Sequence, residues 1–262
     1  MKTALIAAVS AAALVAFALA GCAPASTPTE SAGPTTAPLE GDVTVFAAAS
    51  LTDSFATIAA AFEDDNPGVK VVFNFGGSSG LAEQIVQGAP ADVFAAASPA
   101  TMTTVTDASF SIDPVNFATN TLEIAVPTGN PGGVTGLADF GKGDLAIAVC
   151  AVEVPCGAAS AKIFEATGIT PDVDTYEQDV KAVLSKVELG EVDAGLVYVT
   201  DVQAAGDGVE GVEFTEAADA VNDYPIAALT DAPNPDAAAA FAAFVLTDAS
   251  RQTLQDAGFG AP

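Results

Sequence analysis

Three turns rich in small side chains contain the residues that could do chemistry in this sequence. They are AAAS at 47–50, GGSSG at 76–80 and VPCG at 154–157, and each separates an apolar run from a helical pattern. Small side chains leave the N–H groups of a helix start uncovered, and these groups, together with the helix dipole, favour a bound anion. Ser50 and Ser78 can each add a hydroxyl proton. The turns therefore predict a site for a small anion, built from uncharged donors.

Each turn also has a simpler interpretation. Ser50 followed by Asp53 resembles a capping box, in which the serine would only cap a helix. The Gly-Ser segment is typical of a flexible turn, and it lacks the Lys-Ser/Thr pair of a phosphate-binding P-loop. The 155–157 segment could be an ordinary helix start. The recurrence of one composition in three turns favours the anion site over these separate interpretations.

The composition excludes several classes of protein. The 262 residues include 34 acidic and 7 basic ones, with a formal net charge of −27 and no histidine. So few cations cannot neutralise a run of phosphates, and we expect no nucleic-acid partner. A histidine-based catalytic triad and the commonest metal ligand are both missing. An enzyme is the competing class, and a surface or adhesion domain without a small ligand is a third.

The first 40 residues indicate export and anchoring. Lys2, an apolar run at 4–20 and the motif LAGC at 19–22 predict a signal peptide over 1–21. The small residues before Cys22 resemble a bacterial lipobox, so we expect lipid on Cys22. Residues 22–40 are rich in Pro, Thr, Ser and Ala, which predicts a disordered tether. We therefore expect an extracytoplasmic protein that is anchored to the outer face of the cell membrane.

Two further cysteines lie close together, at Cys150 and Cys156. An exported protein meets an oxidising environment, so a disulfide across this short loop is the default expectation. A catalytic thiol would need a basic partner, and none is near in sequence. The chain also shows no serine–lysine arrangement, which further disfavours an enzyme.

Alternation of short apolar runs with helical patterns predicts an α/β fold with parallel sheets covered by helices on both faces. In open α/β sheets ligands bind beyond the carboxyl ends of the strands, where the three turns fall. The predicted strands are 43–46, 69–75, 92–96, 122–126, 145–149, 196–199 and 225–229. The predicted helices are 51–63, 81–87, 99–107, 158–166, 178–189, 236–246 and 250–256.

Several segments together resemble the periplasmic molybdate-binding protein (ModA) family of ABC transporters, in lipoprotein form. They are VTVFAAASLTDSF, NFGGSSGLAEQIVQGAPADVFAAAS, VPCGAASAK, YEQDVKAVLSKVELGEVDAGLVYVTD and YPIAAL, in the family's order and spacing. The resemblance implies a type II periplasmic-binding-protein fold, in which two α/β lobes close over a ligand cleft. It places lobe 1 at 41–123 and 225–262, lobe 2 at 124–224, and the crossover hinge near 122–126 and 224–227.

The same resemblance implies a ligand set and a role. The hydroxyls of Ser50, Ser78 and Tyr198 and the backbone N–H groups of Cys156 and Val180 would hold the oxygens of molybdate. None is a carboxylate, which favours a fully deprotonated dianion over phosphate; tungstate and sulfate remain alternative ligands. The implied protein is a monomer that needs no cofactor, captures molybdate and tungstate, and delivers them to a membrane permease.

The turn departs from the family's pattern at Cys156, where the family usually has alanine or another small residue. Because the implied donor there is a backbone N–H, the change of side chain need not remove it. A Cys150–Cys156 disulfide would stabilise the edge of the cleft.

Overall fold

A computed structural model describes residues 38–111 and 113–262. The predicted signal peptide, the lipidation site Cys22 and nearly all of the tether lie outside the described residues. Within the described ranges, no helix combines the length and the apolar character that a membrane crossing requires.

The first lobe is built on a sheet of five strands in the order β2-β1-β3-β10-β4. Strand β1 pairs in parallel with β2 and β3, whereas β10 runs antiparallel to β3 and β4. The strands are β1 Gly41–Ala48, β2 Val69–Gly76, β3 Val93–Ala95, β4 Val115–Asn120 and β10 Asn222–Ala228. The first-lobe helices are α1 Thr52–Asp65, α2 Ser78–Val86, α3 Pro99–Asp107, α7 Pro235–Val245 and α8 Asp248–Asp256.

The second lobe is built on a sheet with the order β7-β6-β8-β5-β9. Strand β6 pairs in parallel with β7 and β8, and β5 runs antiparallel to β8 and β9. The strands are β5 Leu122–Pro127, β6 Ile147–Cys150, β7 Thr175–Glu177, β8 Ala194–Tyr198 and β9 Val209–Val212. The second-lobe helices are α4 Pro155–Thr167, α5 Val180–Glu188 and α6 Val199–Ala205, with 3-10 turns at Leu137–Gly141, Gly206–Gly208 and Thr215–Ala220. A further 3-10 turn, Ala49–Leu51, precedes α1 in the first lobe.

The prediction of purely parallel sheets was wrong, because each sheet contains a strand that arrives from the other lobe. The chain leaves β4 at Asn120 and enters β5 at Leu122, and it returns to the first lobe through β10. Neither β5 nor β10 follows a helical crossover within its own sheet, so neither is constrained to run parallel to its neighbours. The lobe boundaries and the hinge positions stay predictions.

The helices pack on the sheets through apolar faces. On α1, the spacing of Phe55, Ile58 and Phe62 places all three on one buried side. Phe55 and Phe62 meet Phe241 of α7 edge-on, with ring centroids 6.3 and 5.3 Å apart. The second lobe has its own core around the buried strands β5, β6 and β8. The first lobe has two buried apolar clusters, and the cluster of the second lobe also includes Ala49 of the first lobe.

Most predicted helices and strands are present, and the omissions share a cause. The structure adds β4, β7, β9 and α6, which are short or partly exposed. Helix α2 begins at Ser78 rather than at 81, and α4 begins at Pro155 rather than at 158. Sequence reasoning had treated these residues as turns because of their Gly, Ser and Pro content. Both helices therefore start at the residues predicted to bind the anion.

Candidate functional site

The three small-residue turns meet in one small pocket between the lobes, and the five predicted ligand residues all line it. Its cavity volume is about 10 Å³. The first lobe contributes Ala48, Ala49, Ser50, Gly76, Gly77, Ser78 and Ala97, and the second contributes Val154, Pro155, Cys156, Asp179, Val180 and Tyr198. No lysine or arginine is among these lining residues. The pocket lies where the strand-to-helix turns of both lobes face each other.

Ser78 lies at the first position of α2 and is buried. Its Oγ accepts a hydrogen bond from the N–H of Ala97 at 3.0 Å. A hydroxyl carries a single proton and can accept while it donates. Because Ala97 supplies the donor in this contact, the proton of Ser78 stays available for an acceptor in the pocket.

Ser50 lies in the 3-10 turn before α1, and its side chain does not cap that helix. The N-cap position of α1 is Leu51, without a side-chain hydrogen bond. The capping-box interpretation of Ser50 was therefore wrong. Ser50 Oγ instead lies 2.9 Å from the hydroxyl of Tyr224 on β10, a buried contact in which either oxygen can donate. If Tyr224 donates, the proton of Ser50 faces the pocket in the same way as that of Ser78.

The second lobe presents two helix starts to the pocket. Cys156 follows Pro155 in the first turn of α4, and Val180 is the first residue of α5. First-turn N–H groups have no partner within their own helix. Asp179, the one carboxylate among the lining residues, caps α5 by accepting from the N–H of Ala182 at 3.0 Å. The two starts can thus donate two backbone hydrogen bonds to an anion, aided by the helix dipoles.

Tyr198, at the end of β8, has a buried hydroxyl without a hydrogen-bond partner among the described residues. Burial raises the pKa of this phenol well above its usual value, and the neighbouring Tyr224 and Asp201 raise it further. The hydroxyl is therefore protonated at neutral pH and can donate. A buried polar group left unpaired costs about 1–3 kcal/mol, so an acceptor in the pocket would stabilise this hydroxyl.

Cys150 and Cys156 are bonded in the structure, with an S–S distance of 2.06 Å. The bond joins the end of β6 to the first turn of α4, and both cysteines are buried. The turn between them is tight: a Cβ at Gly157 would lie 1.9 Å from the carbonyl oxygen of Ala151. The bonded sulfur leaves no nucleophilic thiol at the pocket and holds the donor N–H of Cys156 in place.

A larger groove lies away from the pocket, on the second lobe. It has a volume of about 570 Å³ beside α4 and β7, and Val152 and Tyr176 at its edge are strongly exposed. Its lining is mostly apolar and brings no set of donors to one point. Size alone therefore does not identify the anion site; the convergence of donors does.

Reasoning from the residues alone found only part of this site. It identified the turns that contain Ser50, Ser78 and Cys156, whereas Val180 and Tyr198 came from the family resemblance. An Asp before an amphipathic helix, as at 179–180, is a helix-start signal that could have pointed to Val180. Nothing local marks Tyr224 or Ala97, whose contacts with the two serines span 174 and 19 residues of sequence.

Two α/β lobes with a donor-lined pocket between them define a solute-binding receptor of the periplasmic-binding-protein type. The model of the family described as bacterial extracellular solute-binding protein matches residues 43–260. The chain belongs to this family, whose members are solute-binding proteins rather than enzymes.

Similar proteins confirm the fold and the resemblance predicted from the sequence. The chain is 44% identical to a Mycobacterium tuberculosis H37Rv protein named molybdate-binding protein ModA, over 100% of this chain and 98% of the other. It is 26% identical to a solved substrate-binding domain assigned to a molybdenum ABC transporter of Clostridium difficile, with a TM-score of 0.63 and coverage of 85% and 100%. The Azotobacter vinelandii periplasmic molybdate-binding protein shares the fold, at 20% identity and a TM-score of 0.73, over 84% of this chain and 99% of the other.

Proposed function

We propose that the protein captures molybdate outside the cytoplasm, accepts tungstate as a second ligand, and delivers them to the permease of an ABC transporter. One observation carries the proposal. Five neutral donors from two lobes, among them the unpartnered hydroxyl of Tyr198, line one small pocket without a cationic side chain. The names of the relatives support the same ligand.

The donor set suits a fully deprotonated tetrahedral dianion. Phosphate carries a proton near neutral pH and would gain from a free carboxylate acceptor. Of the one carboxylate that lines the pocket, that of Asp179, the Oδ1 atom is engaged at the start of α5. Sulfate also lacks a proton, and it is the alternative ligand. Sulfate is smaller than molybdate, so a pocket sized for molybdate leaves its hydrogen bonds long.

Uncharged donors are strong enough for this task. A hydrogen bond to a charged group contributes about 1.5–3 kcal/mol net, so five would contribute roughly 8–15 kcal/mol before the costs of association. The net charge of −27 does not forbid binding. Surface charges beyond about 8–10 Å are largely screened at physiological salt, whereas the donors act at about 3 Å.

The remaining parts of the proposal concern the cellular setting. The LAGC motif and the Pro- and Thr-rich residues after it support a lipid anchor on Cys22 with a tether of about 18 residues. In this setting the protein acts as a monomer without a cofactor, and the Cys150–Cys156 bond stays oxidised. The anchor would keep the loaded receptor near its permease.

Competition binding tests the proposed function. Calorimetry and thermal unfolding of the purified mature protein are run with molybdate, tungstate, sulfate and phosphate. We expect molybdate and tungstate to bind most tightly; an anion at about 100 times its Kd adds about 2.7 kcal/mol of stability. Recovery of unchanged molybdate by mass analysis would separate a receptor from an enzyme. If no oxyanion shifts the unfolding temperature, the proposal is wrong and a surface domain without a small ligand becomes the better assignment.

A further inference from the structure

One ion pair crosses between the lobes beside the anion pocket. Lys181 Nζ on α5 lies 3.0 Å from Asp53 Oδ2 on α1 and 3.5 Å from Asp201 Oδ1 on α6. The other ion pairs of the described residues, such as those of Lys70 and Lys186, stay within one lobe. Lys181 and Asp53 are therefore the charged contact that joins the two lobes in the described part of the chain.

The position of this contact relates it to the ligand donors. Lys181 follows Val180 directly, and Asp53 lies in the first turn of α1, three residues after Ser50. The ion pair thus connects α1, which follows Ser50, with α5, which begins at Val180, and these two helices belong to different lobes. Neither Lys181 nor Asp53 lines the pocket, so they would act on the anion through the placement of Ser50 and Val180.

A buried carboxylate holds the lysine in place for this contact. Asp201 is fully buried and accepts the N–H of Tyr198 at 3.1 Å, so it is fixed to the strand end that carries the Tyr198 donor. Burial alone would lower the pKa of Lys181, but Asp201 and Asp53 outweigh burial and raise it. The ammonium group therefore stays charged and is presented to the first lobe from a rigid support on the second.

We propose that Asp53 and Lys181 form a latch that holds the closed cleft shut, and that both are positioning residues that slow the release of the bound oxyanion. The inference rests on the proposed function. Opening the lobes breaks the Asp53–Lys181 contact but leaves Lys181 with Asp201, because those two residues belong to the same lobe. The latch therefore favours the closed state selectively, as a closing contact must.

A simpler role for Lys181 would be to neutralise the charges of Asp53 and Asp201 next to the anion site. This role and the latch differ in the expected effect of removing the charge of Asp53. If charge alone mattered, loss of the Asp53 carboxylate would remove a repulsion and strengthen binding. If the latch operates, the same change removes a closing contact and weakens binding. The sign of the change in the Asp53→Asn variant decides between them.

The experiment compares Asp53→Asn, Lys181→Met and the double variant with two matched controls. Asp64→Asn removes the same charge from an exposed position of the same helix, and Lys186→Met removes a lysine of α5 that pairs only with Glu177 and Glu191 of its own lobe. Molybdate association and dissociation rates are measured by stopped flow, and thermal unfolding without ligand is measured separately. The second measurement detects any loss of stability when Lys181→Met leaves Asp201 buried without its cation.

We expect Asp53→Asn to raise the dissociation rate about two- to fivefold with an unchanged association rate, the range for a partly exposed ion pair. Lys181→Met should show at least this effect, and the double variant should release molybdate no faster than Lys181→Met alone. Asp53→Asn binding as tightly as Asp64→Asn, or more tightly, would overturn the latch. A change in the association rate alone, with an unchanged dissociation rate, would also overturn the latch. Failure of the unmodified protein to bind molybdate would refute the proposed function itself, and with it the latch.

Discussion

At the scale of single residues, the site works by directing hydroxyl protons. A serine beside an anion is useful only if its proton points to the anion, and each of the two serines has a neighbouring group that can occupy its acceptor side. Ala97 N–H occupies that side of Ser78, and the Tyr224 hydroxyl lies against Ser50. Neutral side chains can therefore act as oriented donors without a cation among the described lining residues.

Replacement of Ser78 by alanine tests this arrangement. The change removes one charge-assisted hydrogen bond to the anion, so we expect molybdate affinity to fall about 10- to 100-fold, which corresponds to about 1.5–3 kcal/mol. Calorimetry measures the affinity. Ser79→Ala is the control, since Ser79 is the next residue of α2 and lines a different groove. Equal losses in both variants would mean that the Ser78 hydroxyl does not contact the anion.

At the scale of elements, helix starts rather than whole helices form the site. Helices α2, α4 and α5 all begin at the pocket, so their first-turn N–H groups and dipoles face the same volume. Helix α4 is the most constrained of the three. Pro155 presets its first turn, and Cys156 is bonded back to the end of the preceding strand, at Cys150.

Removal of the Cys150–Cys156 bond should affect stability more than binding. In the Cys150→Ser/Cys156→Ser variant we expect the free energy of unfolding to fall by about 2 kcal/mol, as a short cross-linked loop implies. Molybdate affinity should fall only a few-fold, because the donor is a backbone N–H that serine retains. Urea unfolding and calorimetry measure the two effects, and reduction of the unmodified protein provides the matched comparison. Two free thiols in protein purified from the cell envelope would contradict a native disulfide.

At the scale of the whole molecule, two lobes must approach closely to complete the donor set. Among the described glycines, Gly77 of the first lobe approaches the backbone of the other lobe most closely: a Cβ there would lie 2.2 Å from the carbonyl oxygen of Gln178 and 3.2 Å from Val154 Cγ1. Gly77 has φ −63° and ψ 126°, which any residue can adopt. Glycine is thus required here by the approach of the second lobe and not by the local backbone.

We therefore expect Gly77→Ala to impair closure selectively. The added methyl group should lower molybdate affinity at least tenfold, while the ligand-free protein unfolds at a nearly unchanged temperature. Small-angle scattering should show that molybdate compacts the unmodified protein and compacts the variant less. Gly80→Ala is the control, because nothing lies within 4 Å of a Cβ at that position. Identical scattering with and without molybdate in the unmodified protein would contradict ligand-driven closure.

Features of the structure that depend on neighbouring residues were predicted better from the sequence than features that depend on residues far apart in the chain. The helices with strong apolar periodicity, such as α5 and α8, were predicted to within two residues. Helix α6 was missed because it follows β8 without a break and spans only seven residues. The direction of β5 and β10 was also missed, since strand direction depends on the route of the chain between lobes and not on composition.

The sequence by itself determined the turns of small residues, the neutral character of the donors, the export and anchoring signals and the alternation of strands and helices. These are properties of neighbouring residues, and local sterics and hydrogen bonding are enough to produce them. The tertiary structure alone decided that Tyr224 lies against Ser50, that Lys181 reaches Asp53, and that the hydroxyl of Tyr198 meets no hydrogen-bond partner in the described part of the chain. Those groups are separated by up to 174 residues of chain. Only the packing of the two lobes, between which the chain crosses twice, sets the distances among them.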